Sequence, residues 1–354
     1  MRSVRYNKFA GSWYTDSATE LKKAFEKGTS NKHDNVKKSS FVLAPHAGHR
    51  FCLSQILSSL NHLDINLSTK TIILIGPSHR VAFKNKIYLS CFKELQTPLG
   101  NLNVDYKTIN ELSRSLPQQF SIAPEFMDQN EHCLEIIYPV LKYFLDLNNK
   151  TYVKVIPMLI SKFDSDRTLK DTIQHIFKEV LNPHETSFII SSDFTHWGPP
   201  YNYNFTLDSS KYFEKYISKE DISLKVDINK GINLLNLASM LILSPDKKIH
   251  TDVYEKMDLL ELADMSPLRQ STSILSNFKK YLLDTEDTIC GMYPKIVVLN
   301  ILDDETLRSL FNLSNSASFE FVDYNYSNKV FDVNGYRVSY VSGFVSSWLN
   351  KFRI

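Results

Sequence analysis

Three short apolar runs along this chain end in the same way. Phe41-Val42-Leu43-Ala44 stops at Pro45 and is followed by His46-Ala47-Gly48-His49, and Thr71-Ile72-Ile73-Leu74-Ile75 runs into Gly76-Pro77-Ser78-His79. Phe188-Ile189-Ile190 runs into Ser191-Ser192-Asp193-Phe194-Thr195-His196. Each run reads as a buried strand that delivers an imidazole to the loop at its carboxyl end, where α/β sheets place their chemistry. Parallel neighbours would bring these ends to one edge of the sheet.

The intervening pattern fits that grammar. A helix is predicted over roughly residues 17–27, followed by a polar, lysine-bearing surface loop over 31–40. Leu53, Ile56, Leu57 and Leu60 share one helical face, giving strand, histidine loop, helix, strand as a βαβ unit. Strands follow around Ile87 to Cys91 and the Gly100-Asn101 turn, then a helix over 105–116 and another from Glu131 to about Leu147, bent or broken near Pro139. Residues 152–160 read as a strand interrupted by Pro157, and 166–181 as an amphipathic helix. Residues 205–265 read as mostly helical, polar and peripheral. A helix over 295–302 and strand-like stretches at 319–326 and 338–341 close the chain. With no internal repeat and no long Pro/Gly/Ser linker, this predicts one α/β domain over 1–354, a mostly parallel or mixed sheet flanked by helices.

Composition narrows the function classes. The 354 residues are 43% hydrophobic and 23% charged, an ordinary globular balance, and the formal net charge of +2 with dispersed lysines gives no case for nucleic acid. The first residues carry basic side chains without an apolar core behind them, and no run approaches the ~20 apolar residues of a membrane span. The expected location is cytoplasmic, with the nucleus also open. Cys52, Cys91, Cys133 and Cys290 are widely spaced and read as free thiols. Nucleotide loops and the Gly-x-Ser-x-Gly elbow are lacking, which argues against a bound dinucleotide and against serine hydrolysis.

What remains is imidazole and thiol. His46, His79 and Cys290, the last in a Gly/Pro-flanked turn, would make a two-histidine, one-thiolate metal set drawn from three loops. Asp193 and His196 could orient those ligands or act as base and acid, and His132 is a further acid/base candidate. His49 reads as a surface loop residue, Cys52, Cys91 and Cys133 as packed or half-exposed thiols, and Glu135 equally as a group that caps or pairs on its helix or as one that does chemistry.

Six ordered motifs carry a resemblance to a known family. Ala10-Gly11-Ser12-Trp13-Tyr14, Ala44-Pro45-His46-Ala47-Gly48, Gly76-Pro77-Ser78-His79, Asp193-Phe194-Thr195-His196-Trp197-Gly198, Thr288-Ile289-Cys290-Gly291 and Val338-Ser339-Tyr340 follow the order seen in MEMO proteins, named for mediating ErbB-driven cell motility. That resemblance implies a fold similar to the class III extradiol dioxygenases, a non-haem iron group. It implies metal ligation by His46, His79 and Cys290, with copper, or alternatively iron, as the metal. It places Asp193, His196 and His132 around the same pocket. It also implies a redox-related role in signalling, motility or growth, with signalling proteins or peptides as partners. An adaptor that uses a relic pocket to bind a phosphopeptide, and an extradiol-type dioxygenase, are the alternative readings. Two departures from the family pattern stand out. Ile137 occupies the place of a family histidine, so the pocket is expected to lack one imidazole, and an insertion within about 209–252 is expected to be an external helical addition.

Overall fold

The computed structural model describes residues 1–29, 36–207, 227–263 and 271–347. Its framework is a nine-stranded mixed sheet flanked by helices. Four strands at its centre are parallel, in the order Phe41–Ala44, Thr186–Ser191, Thr71–Pro77 and Lys154–Ile160. Nearly every residue in them is buried, as expected where helices cover both faces of a parallel sheet. Ile87–Leu89 and Phe120–Ile122 extend the sheet beyond Lys154–Ile160, and Leu159 pairs antiparallel with Tyr88. A separate three-stranded sheet joins Arg2–Arg5, Phe92–Leu95 and Leu102–Asn103.

The end of the chain closes the other side of the sheet. Arg337–Ser346 pairs antiparallel with both Ser318–Tyr326 and Phe41–Ala44, and His196–Trp197 adds to its far end. The strand-like stretch expected at 338–341 is therefore the first half of a ten-residue buried strand. Covering helices include His49–Asn61, Tyr138–Leu147, Ile274–Thr285 and Met292–Asp303. The first of these begins earlier than its apolar periodicity predicts, because Gly48 caps it and the His49 N–H donates to the Trp13 carbonyl at 2.9 Å. The helix expected from Glu131 to Leu147 is two pieces, His132–Glu135 and Tyr138–Leu147, with Pro139 in the first turn of the second, where its missing N–H does no harm.

Two expectations about peripheral segments meet different outcomes. Part of the predicted loop at 31–40 and part of the predicted insertion, residues 208–226, lie outside the described residues. The rest of that insertion is not an external addition. The helix Ile228–Leu243 buries Ile232, Leu234, Leu235, Leu237, Met240 and Leu241, and Asn233 and Asn236 bond to the Met257 and Ile232 carbonyls and to Ser339. Its asparagines and serine made the stretch look polar, yet they are consumed by internal hydrogen bonds, which is how polar groups are accommodated in a core. Truncating Leu237 to Ala should therefore lower the unfolding free energy by about 2–5 kcal/mol in urea titration. A loss under about 0.5 kcal/mol, the surface-residue range, would return this helix to the periphery.

Candidate metal centre

The carboxyl ends of the parallel strands converge as the repeated pattern predicts. Ala44 is level with Ser191, and Ile75 with Ile190, so the loops carrying His46, Asp193 and His79 leave the sheet side by side. Cys290 reaches the same place from the turn before helix Met292–Asp303. Gly291 makes that approach possible, since a Cβ there would lie 2.1 Å from Ser192 Cβ. Gly76 does the same for His132–Glu135: its added Cβ would lie 2.7 Å from both Cys133 Sγ and Leu134 Cδ2. All six residues singled out for chemistry, His46, His79, His132, Asp193, His196 and Cys290, line one cavity of about 690 Å³.

The hydrogen bonds fix how three of the imidazoles present themselves. Ser191 Oγ donates to the Cys133 carbonyl at 2.7 Å, so it receives the Nδ1–H of His46, also at 2.7 Å. His79 Nδ1 lies 2.9 Å from Glu131 Oε1, and the other Glu131 oxygen accepts from the His79 backbone N–H at 2.7 Å. His196 Nδ1 faces two carbonyl oxygens, Phe194 at 2.9 Å and Thr288 at 3.1 Å, and must donate to them. In each ring Nδ1 is occupied by an oxygen and Nε2 is the nitrogen left over. This is the arrangement by which an outer partner sets a ligand's tautomer.

Cys290 Sγ sits 3.2 Å from His46 Nε2, and the donor atoms of His46, His79 and Cys290 all lie within 4.8 Å of one another. A tetrahedral ion at about 2.0–2.3 Å from each ligand would set its donors about 3.3–3.7 Å apart, so an inward adjustment near 1 Å suffices. The donor types, two imidazoles and a thiol, fit a soft or borderline transition metal. Asp193, His196 and Cys290 form an overlapping trio at similar spacing, as do His79, Glu131 and His132. Asp193 is already engaged, one oxygen accepting the His46 N–H at 2.8 Å.

Electrostatics separate the histidines. Burial, reinforced by the neighbouring imidazoles, holds His46 well below its ordinary value. Burial likewise lowers His196 and His132 to about 4. Burial also opposes charge on His79, but interactions with Cys290 and Glu131 outweigh it and lift the group to about 10. Burial pushes the Cys290 thiol up, against the pull of His79, and raises Asp193 to about 7.

Several groups around the cavity do not follow from strand-end reasoning. Glu131, quoted above only as part of a motif, grips His79 and caps the turn that carries His132. Glu135 is wholly buried and pairs away from its own helix, accepting from Arg5, from the Phe9 N–H at 2.7 Å and from Tyr14 OH at 3.0 Å. That clamp sets Trp13 against His132, ring centroids 4.6 Å apart. Lys295 lies wholly buried beneath the cluster; its signal in the sequence is a lone lysine in a mostly apolar helix.

Two expectations are corrected. His49 is not a surface residue: it is buried, its Nε2 lies 2.9 Å from the Ile136 carbonyl, and its ring packs near Tyr14, because Gly48 turns the chain inward. Ile137, expected at the pocket, is wholly buried in the hydrophobic core and is not among the residues that line the cavity. Cys52, Cys91 and Cys133 are buried free thiols.

Fold and site together define a class: a single α/β domain with a histidine–thiol cluster at the carboxyl edge of its parallel strands. The chain belongs to the Memo-like protein family, whose family model matches residues 5–344. It is 30% identical to the MEMO1 family protein MHO1 of Saccharomyces cerevisiae, over 97% of this chain and 99% of that one. It is 26% identical to Protein MEMO1 of Rattus norvegicus and 25% to that of Homo sapiens, in each case over 94% of both chains. Among the described residues, no helix is long and apolar enough to cross a membrane.

The His79–Glu131 pair makes a pH signature. Glu131 is lowered from 4.5 to about 2, because its bonds to His79 overcome the opposing effect of burial. Its contribution is present above 4.5 and lost as pH falls towards 2. His79 is raised from 6.5 to about 10, so its contribution is complete below 6.5 and lost as pH rises towards 10. In metal-free protein the stability difference between wild type and Glu131→Gln should therefore be largest between pH 4.5 and 6.5 and on the order of 2 kcal/mol there. Urea unfolding across pH checks this, and a flat difference would refute it.

Proposed function

We propose that this protein binds one transition-metal ion through His46 Nε2, His79 Nε2 and Cys290 Sγ, with copper favoured over iron, and serves a redox-related role in cell signalling. The observation that carries the reading is the occupation of Nδ1 in both histidines by Ser191 and Glu131, which leaves Nε2 of each to face Cys290. Deprotonating His79 Nε2 and the thiol would release protons on binding, so affinity should rise with pH. A thiolate in place of the carboxylate used by iron dioxygenases favours Cu(I).

Copper bound there would supply one-electron transfer. The chain's own residues hold the ligand rings in orientation, and Asp193 anchors the His46 backbone. Trp13, Phe51, Tyr201 and Tyr340 line the cavity with apolar surface beside the cluster.

That aromatic lining also supports a second reading, a non-catalytic adaptor that seats a peptide of a signalling partner in the cavity. Peptide capture that survives His46→Ala would favour the adaptor over the metal-dependent role. The remaining alternative, extradiol cleavage, is open to direct assay: oxygen uptake with ferrous iron and a panel of catechols, where a consistent null retires it.

For the metal assignment, wild type and Cys290→Ser purified without added metal should differ at least tenfold in copper content by elemental analysis. Equal content in both would sink the ligand set.

A further inference from the structure

Helix Met292–Asp303 is apolar on all sides except for a few residues, and one of these, Lys295, is wholly buried. Its ammonium makes no ion pair among the described residues. Nζ donates to Ser192 Oγ and lies 4.2 Å from the centre of the Phe194 ring. A buried ammonium held by a hydroxyl and an aromatic face is expensive, and it calls for negative charge close by.

Cys290, Asp287 and Asp193 are the acidic groups that act on Lys295, and hydrogen bonds lead from it to the first of them. Ser192 Oγ, while accepting from Lys295, donates to the Asp193 carbonyl at 2.7 Å, and the same carbonyl receives Cys290 Sγ at 3.7 Å. Lysine, serine, Asp193 carbonyl and thiol thus form a connected path from beneath the helix to the cavity floor. Gly291 holds the helix against Ser192, so this path has little freedom to open.

We propose that Lys295 is the buried counter-charge of the cluster, offsetting the Cys290 thiolate and the Asp193 carboxylate and thereby biasing a bound metal toward its lower valence. The inference rests on the metal-binding reading above and adds what sets the ion's oxidation state. Lys295 is a positioning group: it bonds to Ser192 and acts on the ligands through its charge. Burial lowers Lys295 to about 7, while Cys290, Asp287 and Asp193 act to raise it. A positive charge held beside the cluster in a protein interior destabilises the higher-valent ion by Coulomb repulsion, by roughly tenfold in the Cu(I)/Cu(II) affinity ratio.

The test uses the full chain loaded with copper, comparing wild type, Lys295→Met and Lys295→Arg. The readouts are Cu(I) affinity by chelator competition and the reduction potential by spectroelectrochemistry. Lys295→Met should lower the potential by about 59 mV, the equivalent of a tenfold change for one electron, and Lys295→Arg should restore most of it. A folded Lys295→Met with the wild-type potential overturns the proposal. Should Lys295→Met fail to fold, Lys295→Gln removes the charge and keeps a polar tip against Ser192; it should lower the potential by a similar amount, and no shift again overturns the proposal. Wild type that binds no copper removes the metal-binding reading itself, whereas copper bound at an unaltered potential in all variants removes only the role of Lys295.

Discussion

Everything at the cavity depends on the parallel register of three adjacent strands. Because Phe41–Ala44, Thr186–Ser191 and Thr71–Pro77 run in one direction with level ends, three loops are forced out at one edge within a few ångströms of each other. Parallel strands cannot be joined by tight hairpins, so each connection is long enough to carry a helix back across the sheet. The same connections bury both faces and make the strands uniformly apolar. Chemistry is thereby confined to the residues just beyond the strands, which is where the histidines stand.

Convergence alone would leave loosely aimed imidazoles, and buried oxygens supply the aim. Ser191, Glu131 and the Phe194 and Thr288 carbonyls each occupy one Nδ1, so ring orientation is set before any ligand arrives. Glu131 and Glu135 lie on a single turn and work in opposite directions: one reaches into the cavity to His79, the other back to Arg5, Phe9 and Tyr14. That turn ties the amino-terminal segment to the metal-ligand loop. A carboxylate this deep is tolerated because each of its oxygens is met by a donor.

Hydrogen-bond satisfaction also explains where polarity misled. Asn233 and Asn236 look like surface residues in a list of letters, yet they serve Met257, Ile232, Tyr324 and Ser339 inside the core. His49 misled similarly, since a histidine beside an arginine suggests solvent while the backbone turn at Gly48 places it under Tyr14. A hydrophobic pattern reports average environment, and a buried polar residue with a partner far away in sequence is invisible to it.

The sequence by itself determined the α/β class, the strands that end in histidine and six of the residues that line the cavity, because short apolar runs and turn formers are local signals with local causes. It also determined the family, through motifs spread over nearly the whole chain. Only the tertiary structure decided that Glu131 holds His79, that Glu135 fastens Arg5 and Tyr14, that Ile137 faces the core, and that Lys295 lies beneath Cys290 rather than in water. The carboxylate pairings among these join residues from 52 to 130 positions apart. Which polar groups meet at such separations is set by how the helices dock on the sheet, and docking is a property of the whole packed core that no window of sequence contains.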